Sequence, residues 1–287
     1  MRAILAFDAS RSAMAAGEFF AALPWKDLPS LELFSAISTV TPNHNLMPEV
    51  EAKAIEQHMA QGVVLLTQRL SQHPLKVTNS FARGYPATEL LQRAQDTKAE
   101  LLVVGSRGLN PMKRLLLGST ADRVVQNLTV SALVYREREW AAASEESKTL
   151  IVCVDGSQLA RGMAAKVAKM FDLKKLRVIC IAVLSLDQST SWYQIPQDQS
   201  AWQAEEGKMR QALAEAAAFF GGAAQVQQLL IEDFDDPTQA IMHMAKTKKA
   251  DLISIAARSE TKFAAISLGS TTKRLTEYAE CSVLIVR

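Results

Sequence analysis

The sequence predicts a duplicated α/β fold: two copies of one unit, each a parallel sheet covered by helices on both faces. Three observations carry this. The run Ala3-Ile4-Leu5-Ala6-Phe7-Asp8-Ala9-Ser10 reappears as Leu150-Ile151-Val152-Cys153-Val154-Asp155-Gly156-Ser157. Short apolar runs, too short for helices, alternate with helical patterns through both halves, which argues parallel strands buried on both sides. Finally, Gly105-Ser106-Arg107-Gly108, nine residues, then Gly118-Ser119-Thr120 recurs as Ala256-Ala257-Arg258-Ser259, nine residues, then Gly269-Ser270-Thr271. The offset between copies is 147 at the aspartates and 151 at the last glycines, so a net four-residue insertion separates these points. A self-similar period of this kind is the signature of duplication.

In the first copy strands are expected near 2–7, 31–37, 76–82, 100–105 and 131–136. In the second they are expected near 149–154, 176–183, 225–231, 251–256 and 282–286. The first strand of each closes on Asp-small-Ser and passes into an alanine-rich helix. The long helices near 51–72 and 201–220 carry apolar stripes such as Val63, Leu66 and Leu70, which read as core faces. Gly84-Tyr85-Pro86-Ala87 and Asp235-Asp236-Pro237-Thr238 each precede a helix and then a strand (Glu100 to Val104; Asp251 to Ile255). The charged stretch Glu137 to Lys148 lacks strand periodicity and is the boundary, giving domains at 1–138 and 148–287.

Bulk properties narrow the function classes. With 32 basic and 30 acidic residues the net charge is +2, which gives no electrostatic footprint for nucleic acid. Cys153, Cys180 and Cys281 lie in or beside apolar runs without a CxxC pair, so buried free thiols are expected. His44, His58, His73 and His243 show no ligand spacing with them, and no metal site is predicted. No apolar run approaches the roughly 18 residues of a membrane helix. The chain enters a strand at Met1-Arg2-Ala3-Ile4-Leu5 without a signal-peptide pattern, so a cytoplasmic location is the expectation.

In an open parallel sheet ligands bind beyond the carboxyl ends of the strands where the strand order reverses. If the first and fourth strands are neighbours there, Asp8 faces the glycine loop across one crevice. A carboxylate acceptor suits ribose hydroxyls or an adenine edge, and a glycine loop feeding a helix N-terminus suits phosphates. Arg107, Lys113 and Arg114 add positive charge within the loop. Ser119 reads as a helix N-cap forming a capping box with Asp122. Asp8 also has a structural reading, as the carboxylate that caps its own turn. The spacing matches neither G-x-x-x-x-G-K-[ST] nor G-x-G-x-x-G after a first strand.

These residues resemble the universal stress protein family, in a tandem form spanning nearly the whole chain. The resemblance rests on Asp8-Ala9-Ser10, Asp155-Gly156-Ser157, Gly84-Tyr85-Pro86-Ala87 and Gly105-Ser106-Arg107-Gly108 with Gly118-Ser119. It implies an adenine nucleotide alpha hydrolase-like sheet of order 3-2-1-4-5 in each copy. It also implies an internal pseudo-dimer, in which Ser131 to Arg136 pairs antiparallel with Cys281 to Arg287. Family members with the complete glycine pattern bind ATP, so the resemblance implies ATP, with or without Mg²⁺, in the first copy. The implied contacts are Ala6, Asp8, Ala36, Val104, Gly105, Arg107, Gly108, Gly118, Ser119 and Thr120.

The second copy departs from the pattern. Ala256 and Ser259 replace two glycines, and Ala256 disfavours a positive φ if the fold requires one there. Glu232, Asp233, Asp235 and Asp236 form an acidic cluster that would repel a triphosphate. Weak nucleotide binding, or none, is expected in that half. A regulatory ATP-binding protein of stress response is the leading reading; a slow ATP hydrolase and a scaffold without nucleotide are the alternatives. The first crevice offers Asp8 and no histidine, which leaves dedicated hydrolysis short of a base. The segments Thr41 to Val50 and Asp187 to Trp202 follow the second strands, where a long loop has two readings of equal weight: a lid or partner surface, or a plain connection. A protein partner is expected, with its identity and that of a homodimer left open.

Overall fold

The protein is described from a computed structural model over residues 1–39, 46–106, 117–138, 147–184, 199–232, 236–257 and 268–287. The first half runs β1 (Arg2–Ala6), α1 (Arg11–Ala22), β2 (Ser30–Ile37), α2 (Glu49–Leu70), β3 (Lys76–Arg83), α3 (Pro86–Asp96), β4 (Leu101–Gly105), α4 (Ser119–Gln126) and β5 (Ser131–Tyr135). The second repeats it: β6 (Lys148–Val154), α5 (Gln158–Met170), β7 (Leu176–Leu184), α6 (Gln199–Phe219), β8 (Gln225–Glu232), α7 (Pro237–Thr247), β9 (Leu252–Ala256), α8 (Ser270–Tyr278) and β10 (Ser282–Val286). Strand limits agree with the sequence expectation to within two residues.

All ten strands form one sheet of order β3-β2-β1-β4-β5-β10-β9-β6-β7-β8. Each half is therefore a parallel 3-2-1-4-5 arrangement, and the two join where β5 and β10 pair antiparallel, Leu133 opposite Leu284. That single antiparallel junction puts the carboxyl ends of the two sets of strands at opposite edges of the sheet.

Alternation along each strand feeds two cores. Leu5, Leu33 and Val103 face Phe20 of α1 and Leu66 of α2, while Ile4, Leu102 and Val104 face Leu90 of α3 and Val124 of α4. Val63, Leu66 and Leu70 are buried, as their spacing on α2 predicts.

Contacts outside the sheet reinforce the junction. Trp25 stacks on Phe171 with ring centroids 4.8 Å apart, and Asp172 N–H donates to Pro24 O at 2.7 Å. Arg136, just past β5, is buried and donates to the carbonyls of Thr276 and Glu277 at 3.1 and 3.0 Å. A cation at the end of α8 suits the negative pole of that helix. Arg138 pairs with the buried Asp251, which also accepts the Thr149 N–H at 2.8 Å.

The three cysteines are free and buried, as expected. Burial pushes the Cys180 and Cys281 thiols up to about 12 and raises that of Cys153 as well, so none is a ready nucleophile.

Candidate functional site

The strand order reverses between β1 and β4, where β1 pairs with β2 on one side and β4 on the other. At this point a cleft of about 380 Å³ opens. It is lined by Ala6 and Asp8 after β1, Ala36 on β2, Val104 and Gly105 on β4, and Gly118, Ser119 and Thr120 at the start of α4. Eight of the ten residues expected at the site thus converge on one cavity. Arg107 and Gly108, together with Lys113 and Arg114, lie outside the described residues.

The local chain explains the convergence. Phe7 N–H donates to Phe34 O at 2.8 Å, extending the β1 pairing one residue beyond the strand. Asp8 then caps its own turn: its Oδ1 accepts the Ser10 N–H at 3.0 Å, and Ser10 Oγ in turn accepts the Ala13 N–H to start α1. The turn-capping reading of Asp8 is therefore correct, and the same half-buried residue also lines the cleft. On the far side, Ser106 N–H donates to Tyr135 O at 2.8 Å, and Gly118 N–H returns to Ser106 O at 2.9 Å, fixing both stems of the loop.

Ser119 is not the N-cap of α4 and forms no capping box with Asp122. Gly118 is the cap, at φ −64° and ψ 153°, and no side chain bonds the first turn. Asp122 instead accepts from Gln126 Nε2 at 2.9 Å, one turn along. The physical consequence favours a ligand: a helix begins with unpaired N–H donors, and with no capping side chain those of α4 are left for the cleft.

Sequence reading missed much of the wall. Phe7, Phe34, Ile37, Ser38, Met47, Ile55, Met59, Pro86 and Leu90 also line the cleft. Met47 falls in the segment expected at the mouth. Ile55 and Met59 lie one turn apart on α2, a spacing indistinguishable from a core stripe.

The second half repeats the frame at the opposite edge. Asp155 Oδ1 accepts the Ser157 N–H at 3.0 Å, and Gly269 caps α8 with no side-chain bond. The crevice there measures about 190 Å³ and is lined by Cys153, Asp155, Val183, Ile255, Ala256, Gly269, Ser270 and Thr271 among others. Neither Gly105 nor Ala256 has a positive φ, so the fold does not require one at that position. Asp236 is not a loose negative charge either: it caps α7 by accepting the Thr238 N–H at 2.9 Å and pairs with Arg274 at 2.6 Å. Arg258, Ser259, Asp233 and Asp235 lie outside the described residues, as do 41–45 of the segment after β2 and 187–198 of the segment after β7.

A duplicated doubly wound α/β domain, with a crevice at each switch point, is the class that fold and site define. The Universal stress protein family matches this sequence over residues 1–136 and 146–287. The chain belongs to that family. A universal stress protein of Mycolicibacterium smegmatis is 25% identical over 221 residues, covering 75% of this chain and 70% of the relative. Another, from Methanocaldococcus jannaschii, is 27% identical over 31% of this chain and 52% of its own length, so the match spans about half of that relative. Among solved structures, a universal stress protein of Archaeoglobus fulgidus superposes over 100% of this chain and 98% of its own, with TM-score 0.67 and 16% identity. At that identity the likeness concerns the fold. No described helix is long and apolar enough to cross a membrane.

Proposed function

We propose that this universal stress protein is an ATP-binding regulatory protein that holds nucleotide in its first domain, with weak or no binding in its second. The observation that carries the reading is the meeting of Asp8, Gly105 and the N-terminus of α4, which no side chain caps, in one cleft of about 380 Å³. These residues fit the group. The α4 donors suit phosphate oxygens, with Gly118 leaving the backbone open to them. Asp8 supplies a carboxylate acceptor for sugar or base, and the apolar walls suit a flat ring. When bound, the nucleotide would supply a signal to be read, with or without Mg²⁺; among the described residues no cluster of metal-ligating side chains is present.

Asymmetry is supported by the floor of the crevices as well as by the loop. Ala6, Ala36 and Gly105 correspond to Cys153, Val183 and Ala256, each larger, and the second crevice has half the volume. Sensing is favoured over turnover because Asp8 is the sole carboxylate among the described lining residues and already accepts its own turn's N–H. Purified protein is denatured and the released small molecule identified by mass spectrometry and counted per chain. One ATP per chain is expected; two would refute the asymmetry, and no binding on titration with ATP would refute the nucleotide reading.

A further inference from the structure

The two turns that carry Asp8 and Asp155 are built differently. Ala9 sits in the left-handed region at φ 57°, although it is not a glycine, whereas the equivalent Gly156 adopts φ 76° at no steric cost. A methyl group in that conformation is strained by about 1 kcal/mol and persists only where packing holds it. The packing is visible. A Cβ added at Gly62, in the middle of α2, would stand 2.8 Å from Ala9 Cβ and 3.1 Å from Phe7 Cζ. Phe7 and Ala9 flank Asp8 in sequence. The helix therefore touches the turn on both sides of the carboxylate, at the one α2 position where a missing side chain permits it.

The second half lacks this clasp. A Cβ at Gly156 would meet only the Met209 methyl, at 3.2 Å, and Val154 stands where the first half has Phe7. A space of about 90 Å³ lies beside that turn, lined by Val154, Gly156, Ala212 and Glu215 among others. Asp155 is exposed where Asp8 is half-buried.

We propose that Gly62 is a positioning residue for Asp8: lacking a side chain, it lets α2 clasp the Phe7–Ala9 turn and fix the carboxylate at the cleft. It lines no part of the cleft itself, so its effect runs through Ala9 and Phe7. The consequence for ligand affinity rests on the nucleotide reading above; the consequence for the turn does not.

The experiment compares wild type with G62A, A9G, A9G/G62A, D8N and D8N/G62A, with ATP affinity measured by calorimetry. Hydrogen exchange at the Ser10 amide, which donates to Asp8 Oδ1, is measured without ligand. G62A is expected to accelerate Ser10 exchange at least tenfold and to weaken ATP by a similar factor. A9G/G62A, which removes the 2.8 Å clash, is expected to recover most of both. In the D8N background G62A should cost no further affinity, because its route to the ligand is through that carboxylate. A folded G62A with wild-type Ser10 exchange overturns the proposal, as does a G62A penalty undiminished in D8N. If G62A fails to fold, A9G/G62A decides: Ser10 exchange near wild type supports the clasp, and failure to recover overturns it. A wild type that binds no ATP defeats the nucleotide reading, while the exchange result still decides the clasp.

Discussion

The two crevices share stems and caps and differ in filling. In both, a strand-end aspartate caps its turn, a glycine begins the helix opposite, and that glycine's N–H closes the loop onto the residue after the fourth strand, Ser106 or Ala257. In the first, small residues at Ala6, Ala36 and Gly105 leave a cleft twice the volume of the second, and the aspartate turn is gripped by α2. Hydrogen-bonded scaffolding was thus retained through the duplication while side-chain volume diverged. That is the pattern expected if backbone pairing maintains the fold and lining residues set what each site admits.

The strongest way to break this contrast is at the helix caps. Gly118→Trp should lower ATP affinity at least about 100-fold, some 3 kcal/mol, while the fold survives by circular dichroism. Gly269→Trp should leave the nucleotide bound per chain unchanged; equal losses in the two variants would erase the asymmetry.

Alkaline pH acts on the second half through its buried thiols. All three cysteines lie in the second half, and burial raises their folded-state values above the ordinary 9.0. A raised acid keeps its stabilising contribution below the unfolded value and loses it as pH climbs toward the folded one. Each thiol should therefore cost about 1.4 kcal/mol per pH unit between roughly 9 and 12. Urea midpoints at pH 7.5, 9.5 and 10.5 check this, and C180A should flatten the slope by one thiol's share.

Smaller effects sharpen the turns. Gly156→Ala puts a methyl at φ 76° against Met209 and should destabilise by about 1–2 kcal/mol. Ala9→Gly removes a comparable strain yet frees the unfolded chain, so a net change within about 1 kcal/mol is expected in thermal melts. Ser10→Ala and Ser157→Ala should each cost about 1 kcal/mol through loss of the α1 and α5 caps. The N–H that Asp8 accepts from position 10 is a backbone donor and survives Ser10→Ala, so ATP affinity should change by less than about threefold in either variant.

Much of this was legible in the residues. The repeat, the strand runs and Asp8-Ala9-Ser10 are local, and apolar periodicity with turn chemistry dictates strands and helices wherever tertiary packing agrees. Eight of the ten expected site residues meet because strand ends and the switch point follow from that order. Ser119 was misread because Gly and Ser are both acceptable caps, and only the backbone at Gly118 distinguishes them. Met59 and Ile55 were unreadable because a cleft wall and a core stripe share one spacing.

By itself, then, the sequence determined the duplicated α/β frame, the buried cysteines and the residues that end at each crevice, because local propensity and burial periodicity are written along the chain. Only the tertiary structure decided which crevice is roomy, which aspartate turn is held, and that Gly62 touches Ala9 across 53 positions of sequence. Volume and close approach arise from atoms brought together by folding, and no spacing along the chain encodes them.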